Sequence, residues 1–161
     1  MNAKSALLTI AGSMLLACTP ILAAGGQSAF KAGSLDRIEQ AYAGEGLLLV
    51  MWEINCIPCR EELGLLGRAR KNHPDMNLVL ISTDDISLAP QVREILADNG
   101  LTGVDSWMFA EQNVEKLRYA VDPEWFGELP RNYIYDEDHN RIGFSGKLTE
   151  EVLEEWLEGD S

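Results

Sequence analysis

The chain is short of bases. Thirteen lysines and arginines stand against 26 aspartates and glutamates in 161 residues, a formal net charge of −13. Nucleic-acid binding needs a basic face, so that class of function is excluded. The acid excess lies mostly from Asp84 onward and reads as solubility through self-repulsion. Histidine is scarce too, with only His73 and His139. A zinc centre needs four ligands, or three and a water. His73 falls at a helix end and His139 in a hairpin turn, and neither has a partner at ligand spacing. No metal and no other cofactor is expected. There are only three cysteines, Cys18, Cys56 and Cys59. No internal repeat or low-complexity segment is visible. A hydrophobic content of 46% is that of a globular protein. The length allows one domain with a core of its own.

The N-terminus reads as an export signal. Met1–Lys4 is a short positive region and Ala6–Leu16 is apolar. Three endings stay open. Leu15–Leu16–Ala17–Cys18 has the form of a bacterial lipobox, in which Cys18 would be lipidated. Alternatively Pro20 breaks the helix and a signal peptidase cuts after Ala23 or Ala24. The third is a retained anchor, since Ser5–Ala24 has about the length that spans a bilayer. Each places the rest of the chain outside the cytoplasm, in the periplasm, where disulfides persist. Membrane contact is expected only through this N-terminal anchor or lipid.

What the chain does have is the stretch Leu47–Leu66. Leu47–Trp52 is a continuous apolar run, too short to span a membrane. It reads as a strand buried on both faces, as in a parallel sheet under helices. Cys56 and Cys59 follow, with Pro58 between them, and Leu63, Leu66 and Ala69 then recur at helical spacing. Cys56 therefore falls at a helix N-terminus, where unpaired N–H groups and the helix dipole favour a thiolate. A bridge from Cys56 to Cys59 closes a tiny loop and removes little unfolded-state entropy. It suits a bond that opens and closes better than a structural staple.

Residues 25–33 are small and Gly-rich and read as a tether. Ser34 is expected to cap a helix over Leu35–Tyr42. Asn77–Ser82 reads as a second buried strand, Thr83–Ser87 as a polar loop and Pro90–Asn99 as a helix. Asp105–Phe109 is a strand candidate, with Trp107, Met108 and Phe109 as core. Glu111–Tyr119 reads as a helix with Val114, Leu117 and Tyr119 turned inward. Arg131–Asp136 and Arg141–Phe144 form a hairpin in which Asn140 suits a positive φ. Thr149–Glu158 closes the chain as a helix with Val152, Leu153, Trp156 and Leu157 on its apolar face. Strand, helix, strand, helix, hairpin and helix make an α/β architecture with a mixed central sheet.

Trp52, then Cys56–Ile57–Pro58–Cys59 after a buried strand, resembles the thioredoxin-like superfamily. The closer resemblance is to exported, often membrane-tethered proteins of TlpA type. Glu62, three residues after the second cysteine, the Gly127–Pro130 stretch before a hairpin, and the Gly146–Glu150 run into a last helix all support it. The division is then 1–24 signal or anchor, 25–33 linker and 34–161 thioredoxin-like domain. There are departures. Asn55 stands where a second Trp is common, Gly64 where a Pro is common, and Val50 where cytoplasmic thioredoxins bury an Asp.

The resemblance implies a thiol–disulfide oxidoreductase working through a CxPC dithiol. Cys56 attacks and Cys59 resolves. Glu62 would exchange a proton with Cys59, its pKa raised by burial. Pro130 would be cis and beside Cys56, with the Leu129 backbone offered to a peptide. Pro58 stiffens the turn. Trp52, Pro58, Leu129 and Pro130 would be client-contacting positions, although Trp52 so near the dithiol is more often core packing, and Trp125 and Phe126 would form an apolar rim for a client. The work implied is reduction of disulfides in exported proteins, including cytochrome or oxidase maturation, with electrons from a membrane thiol-transfer protein. The alternatives are a non-catalytic binding module or metallochaperone of this fold, and a thiol peroxidase.

Overall fold

A computed structural model describes residues 26–159. Its centre is a six-stranded sheet in the order β1-β4-β3-β2-β5-β6. The strands are β1 (Ser28–Phe30), β2 (Leu47–Trp52), β3 (Leu78–Asp85), β4 (Asp105–Phe109), β5 (Arg131–Tyr135) and β6 (Arg141–Ser145). The first four run parallel, and β5 and β6 add an antiparallel hairpin to β2. The helices are α1 (Ser34–Ala41), α2 (Ile57–Asn72), α3 (Ala89–Asp98), α4 (Val114–Val121) and α5 (Glu150–Gly159). This is the α/β architecture with a mixed sheet, closing hairpin and last helix that the sequence implies.

Every side chain of β2 is at most 1% exposed, and the strand's period of two divides them between two cores. Leu48, Val50 and Trp52 pack with Leu63 and Leu66 of α2, Val92 and Ile95 of α3, and Leu153 of α5. Leu47, Leu49 and Met51 pack with Leu35 and Ile38 of α1 and Leu117 and Val121 of α4. A continuous apolar run is what a strand needs when both faces are covered.

Several local expectations are corrected. Part of the presumed tether is β1, which pairs in parallel with β4 and buries Phe30 at 1% exposure. The Phe30 ring stacks on Phe109, so one aromatic anchors a three-residue strand in a Gly-rich stretch. The cap of α1 is Gly33, in a left-handed conformation; the Ser34 hydroxyl instead accepts the Lys31 N–H at 2.9 Å. The polar loop after Ser82 is strand as far as Asp85, with a register shift against β4. Helix α4 starts later than expected because the Asn113 side chain caps it, accepting from the Lys116 N–H. The inward face is then Leu117 and Val121, while Val114 and Tyr119 are exposed. In the hairpin, His139 takes the positive φ, and Asn140 donates twice to the Asp136 carboxylate. On α5 only Leu153 is fully buried; Trp156 and Leu157 are half-buried and Val152 is exposed.

Helix α2 passes close over the end of α3. A Cβ added at Gly67 would overlap the Asn99 carbonyl oxygen, whereas one at Gly64 meets only ordinary contacts at 3.6 Å. Backbone cannot swing aside as a side chain can. Gly67→Ala is therefore expected to destabilise by about 1–3 kcal/mol, outweighing its gain in helix propensity. Gly64→Ala is expected to be neutral or stabilising. Urea denaturation of the two variants checks the pair.

Candidate active site

The two cysteines sit where β2 hands over to α2. Cys56 is the N-cap residue of α2, with extended backbone, and Pro58 lies in the first turn. The Cys56 N–H donates to the Glu53 carbonyl at 3.3 Å, which closes the turn leading in. The Cys59 N–H points back at Cys56 and donates to its Sγ at 3.2 Å. A backbone donor aimed at that sulfur, added to the helix terminus, favours a thiolate there. Cys56 and Cys59 form a disulfide with their Cα atoms 5.2 Å apart. Cys56 is half-exposed and Cys59 is 1% exposed. One sulfur can meet another protein and the other cannot.

Glu62 lies one helical turn beyond Cys59, on the same buried face. It is 0% exposed, while its neighbour Glu61 is at the surface in an ion pair with Lys147 at 2.6 Å. The Glu62 Oε2 accepts the Leu148 N–H at 2.7 Å and, more weakly, the Asn132 amide at 3.5 Å. Its Oε1 is buried with no hydrogen-bond partner. Burial pushes the Glu62 pKa up from 4.5 to about 7, against the opposing pull of Leu148, Asn132 and Lys147. A carboxyl poised there can take up or release a proton near neutrality. Asn132 and Leu148 are contributors that the sequence did not reveal. They come from β5 and from the segment before α5, and no local spacing links them to α2.

A raised carboxyl pKa has a definite sign in stability. The unfolded chain ionises Glu62 near 4.5, while the folded chain holds the proton until about 7. Its contribution is full below pH 4.5 and is lost as the pH rises through 7. Wild type is expected to lose about 3 kcal/mol relative to Glu62→Gln between pH 4 and pH 8. Urea denaturation of the oxidised proteins across that range measures the difference. A difference that does not change with pH contradicts it.

The loop from Asp122 to Pro130 leads into β5, whose first residue, Arg131, pairs with Met51 next to the end of β2. Leu129–Pro130 is a cis peptide, as the resemblance implies. The loop is fastened at both ends. The Arg131 guanidinium and the Tyr133 hydroxyl both donate to Asp122 Oδ2, at 2.7 and 3.1 Å. The Trp125 indole N–H donates to the Glu128 carbonyl at 2.8 Å, and Arg118 reaches the Phe126 carbonyl. Leu129 is half-buried and Pro130 buried. Phe126 is left 81% exposed on a braced loop, and Ile57, between the cysteines, is 74% exposed. Pro58 is exposed as well.

Two residues read as client contacts do not reach the surface. Trp52 is 0% exposed and belongs wholly to the core under α2, because it ends the face formed by Leu48 and Val50. Trp125 is 4% exposed and packs among the residues of the α1/α4 core. Of the two aromatics expected at a rim only Phe126 is exposed, and Ile57 is exposed as well. Cys18 and the candidate signal or anchor lie outside the described residues. Among the described residues, no helix is long and apolar enough to cross a membrane, and no group of three His, Cys, Asp or Glu side chains could hold a metal ion.

No protein-family model matches the sequence, and no curated protein matches it. Solved structures do match. A thiol:disulfide interchange protein of the thioredoxin family from Chlorobium tepidum superposes with a TM-score of 0.60 at 14% identity, covering 76% of this chain and 83% of its own. A secreted Mycobacterium tuberculosis disulfide oxidoreductase homologous to E. coli DsbE gives 0.58 at 17%, covering 74% and 85%. A DsbF homologue from Corynebacterium diphtheriae gives 0.56 at 19%, covering 75% of each chain. At these identities the likeness speaks for architecture, and the architecture is the thioredoxin fold with a Cys56–Cys59 disulfide at its helix terminus.

Proposed function

We propose that the protein is an exported thiol–disulfide oxidoreductase that reduces disulfides in client proteins. The observation that carries this is the asymmetry of the pair. Cys56 is accessible and set at a helix N-terminus, while Cys59 is buried directly behind it. In the dithiol form the Cys56 thiolate attacks one sulfur of the client disulfide. That bond breaks, a mixed disulfide forms, and the leaving client thiolate takes a proton from solvent. Cys59 then gives its proton to Glu62 and attacks the Cys56 sulfur. The second client thiolate leaves, and two electrons have passed to the client. The product is the Cys56–Cys59 disulfide. Phe126, Ile57 and Pro58 supply an apolar border around Cys56 for the client, and the Leu129–Pro130 backbone lies beside it. Return to the dithiol draws on a membrane thiol-transfer protein.

Export is supported by the apolar N-terminal sequence and by the secreted character of the mycobacterial neighbour. The reducing direction rests on the thioredoxin-like Ile57–Pro58 pair between the cysteines. Cytochrome or oxidase maturation is one setting in which such a reductant is used. Trapping tests the whole reading. Cys59→Ala expressed in the native compartment should accumulate a mixed disulfide on Cys56, and mass spectrometry of the adduct names the client. If Cys56 carries no adduct there, the exchange reading falls.

A further inference from the structure

The turn that carries Cys56 is held from the end of β3. The Asp84 carboxylate accepts the Ile54 N–H at 2.9 Å, and the same oxygen accepts the Ser82 hydroxyl at 2.7 Å. The Asp84 N–H in turn donates to Ser82 Oγ at 3.1 Å, and Thr83 Oγ1 donates to the Trp52 carbonyl at 3.4 Å. Consecutive residues of β3 thus grip the backbone at both sides of Glu53. The ladder between β2 and β3 ends at the pair Trp52–Ser82, and β3 shifts register against β4 between Ser82 and Asp85. In a regular ladder the backbone of β3 would answer the backbone of β2. Here a side-chain carboxylate answers it instead, and Ser82, 0% exposed, holds that carboxylate in place.

We propose that Asp84 is the positioning residue for Cys56 and, through its fixed negative charge, holds the dithiol on the reducing side. This rests on the exchange function proposed above. Ile54 is two residues from Cys56, so the carboxylate lies within about 10 Å of the Cys56 backbone by chain geometry alone. A half-buried negative charge at that range disfavours a thiolate, opposing the helix N-terminus and the Cys59 N–H. A less stable thiolate makes the dithiol easier to oxidise, which is the sense a reductant needs. The other charged or titratable groups around the dithiol include Glu53 on the turn, Asp85 next to Asp84, Arg60 in the first turn of α2, Glu62 on the buried face of α2 beyond Cys59, and Glu128 before Pro130. Asp85 is exposed and spends its carboxylate on the Ser87 N–H.

Three variants separate charge from shape. Asp84→Asn keeps an acceptor for Ile54 and removes the charge. The Cys56 thiol pKa, read by ultraviolet thiolate absorbance, should fall by about half a unit to one unit. The equilibrium constant against glutathione should move about three- to tenfold toward the dithiol. Asp84→Ala loses the acceptor as well, and its rate of exchange should drop about tenfold further while melting cooperatively. Asp85→Asn is the control for diffuse surface charge and should move the pKa much less. The proposal is overturned if Asp84→Asn leaves both pKa and equilibrium where they were, or if Asp85→Asn matches it. The thiol titration needs no client. An inert wild-type dithiol whose Cys56 pKa still responds to Asp84→Asn would sink the proposed function and leave this assignment standing.

Discussion

Cys56→Ser should abolish reduction of a peptide disulfide, by on the order of a thousandfold or more, because a hydroxyl at neutral pH is no substitute for a thiolate. Cys59→Ala should behave quite differently. Its Cys56 still sits at the helix N-terminus and keeps the backbone N–H of residue 59 aimed at its sulfur. The first attack survives, and the second has no nucleophile. Turnover stops after one equivalent, and the client stays attached. The order of these phenotypes follows from burial, since Cys59 at 1% exposure cannot exchange places with Cys56. Insulin reduction and mass analysis of the intact protein read both outcomes. Equal single-equivalent adducts on Cys56→Ser and Cys59→Ala would show that either sulfur can lead, contrary to the geometry.

Trp52→Ala should cost about 3–5 kcal/mol, the usual range for emptying a large buried aromatic site. That is roughly a third to a half of the stability of a domain holding about 10 kcal/mol. The indole lies wholly inside the core between β2 and α2, and its Nε1 is buried with no acceptor. Trp52→Phe should therefore cost much less than the alanine change, because it removes an unsatisfied donor along with some apolar surface. Urea denaturation gives both numbers. The folded fraction of Trp52→Phe should bind clients with unchanged KM. A raised KM at unchanged stability would return Trp52 to the client-contacting role that its position before the dithiol first implied.

The strand, the dithiol and the helix after it were legible because their signals are local and strong. Six consecutive apolar residues, two cysteines at N-cap spacing, and Leu63 and Leu66 on one face leave little choice. Glu62 and Glu61 are the same residue type, and the resemblance, more than any spacing, singles out Glu62, which the structure buries. The misses share a physical origin. The strand β1 is three residues long, below the window in which any period shows, and it forms because Phe30 finds Phe109 across the sheet. Trp125 and Phe126 are adjacent aromatics with opposite fates, decided by a loop whose clamps come from Asp122, Arg118 and Arg131. The Thr83–Asp85 run looked like a polar loop, and its polarity is real. Thr83 and Asp84 finish the end of the strand by bonding the neighbouring turn, a contact about thirty residues distant in sequence. Asn132 reaches Glu62 across seventy residues. Tertiary partners of that kind are set by topology, and only the assembled sheet reveals them.

The pairing of β1 has a consequence for how the domain can be mounted. β1 runs parallel to β4, β3 and β2, and Cys56 follows the far end of β2. The backbone ahead of Ser28 therefore joins at the floor of the sheet, while the disulfide sits at its roof. A bead, surface or bilayer coupled through that backbone would hold the domain upright, with Cys56 facing outward. Coupling through residues near Phe126 would hold it face down. Immobilised forms of the two kinds should differ in access to bulky clients while reacting alike with small disulfides.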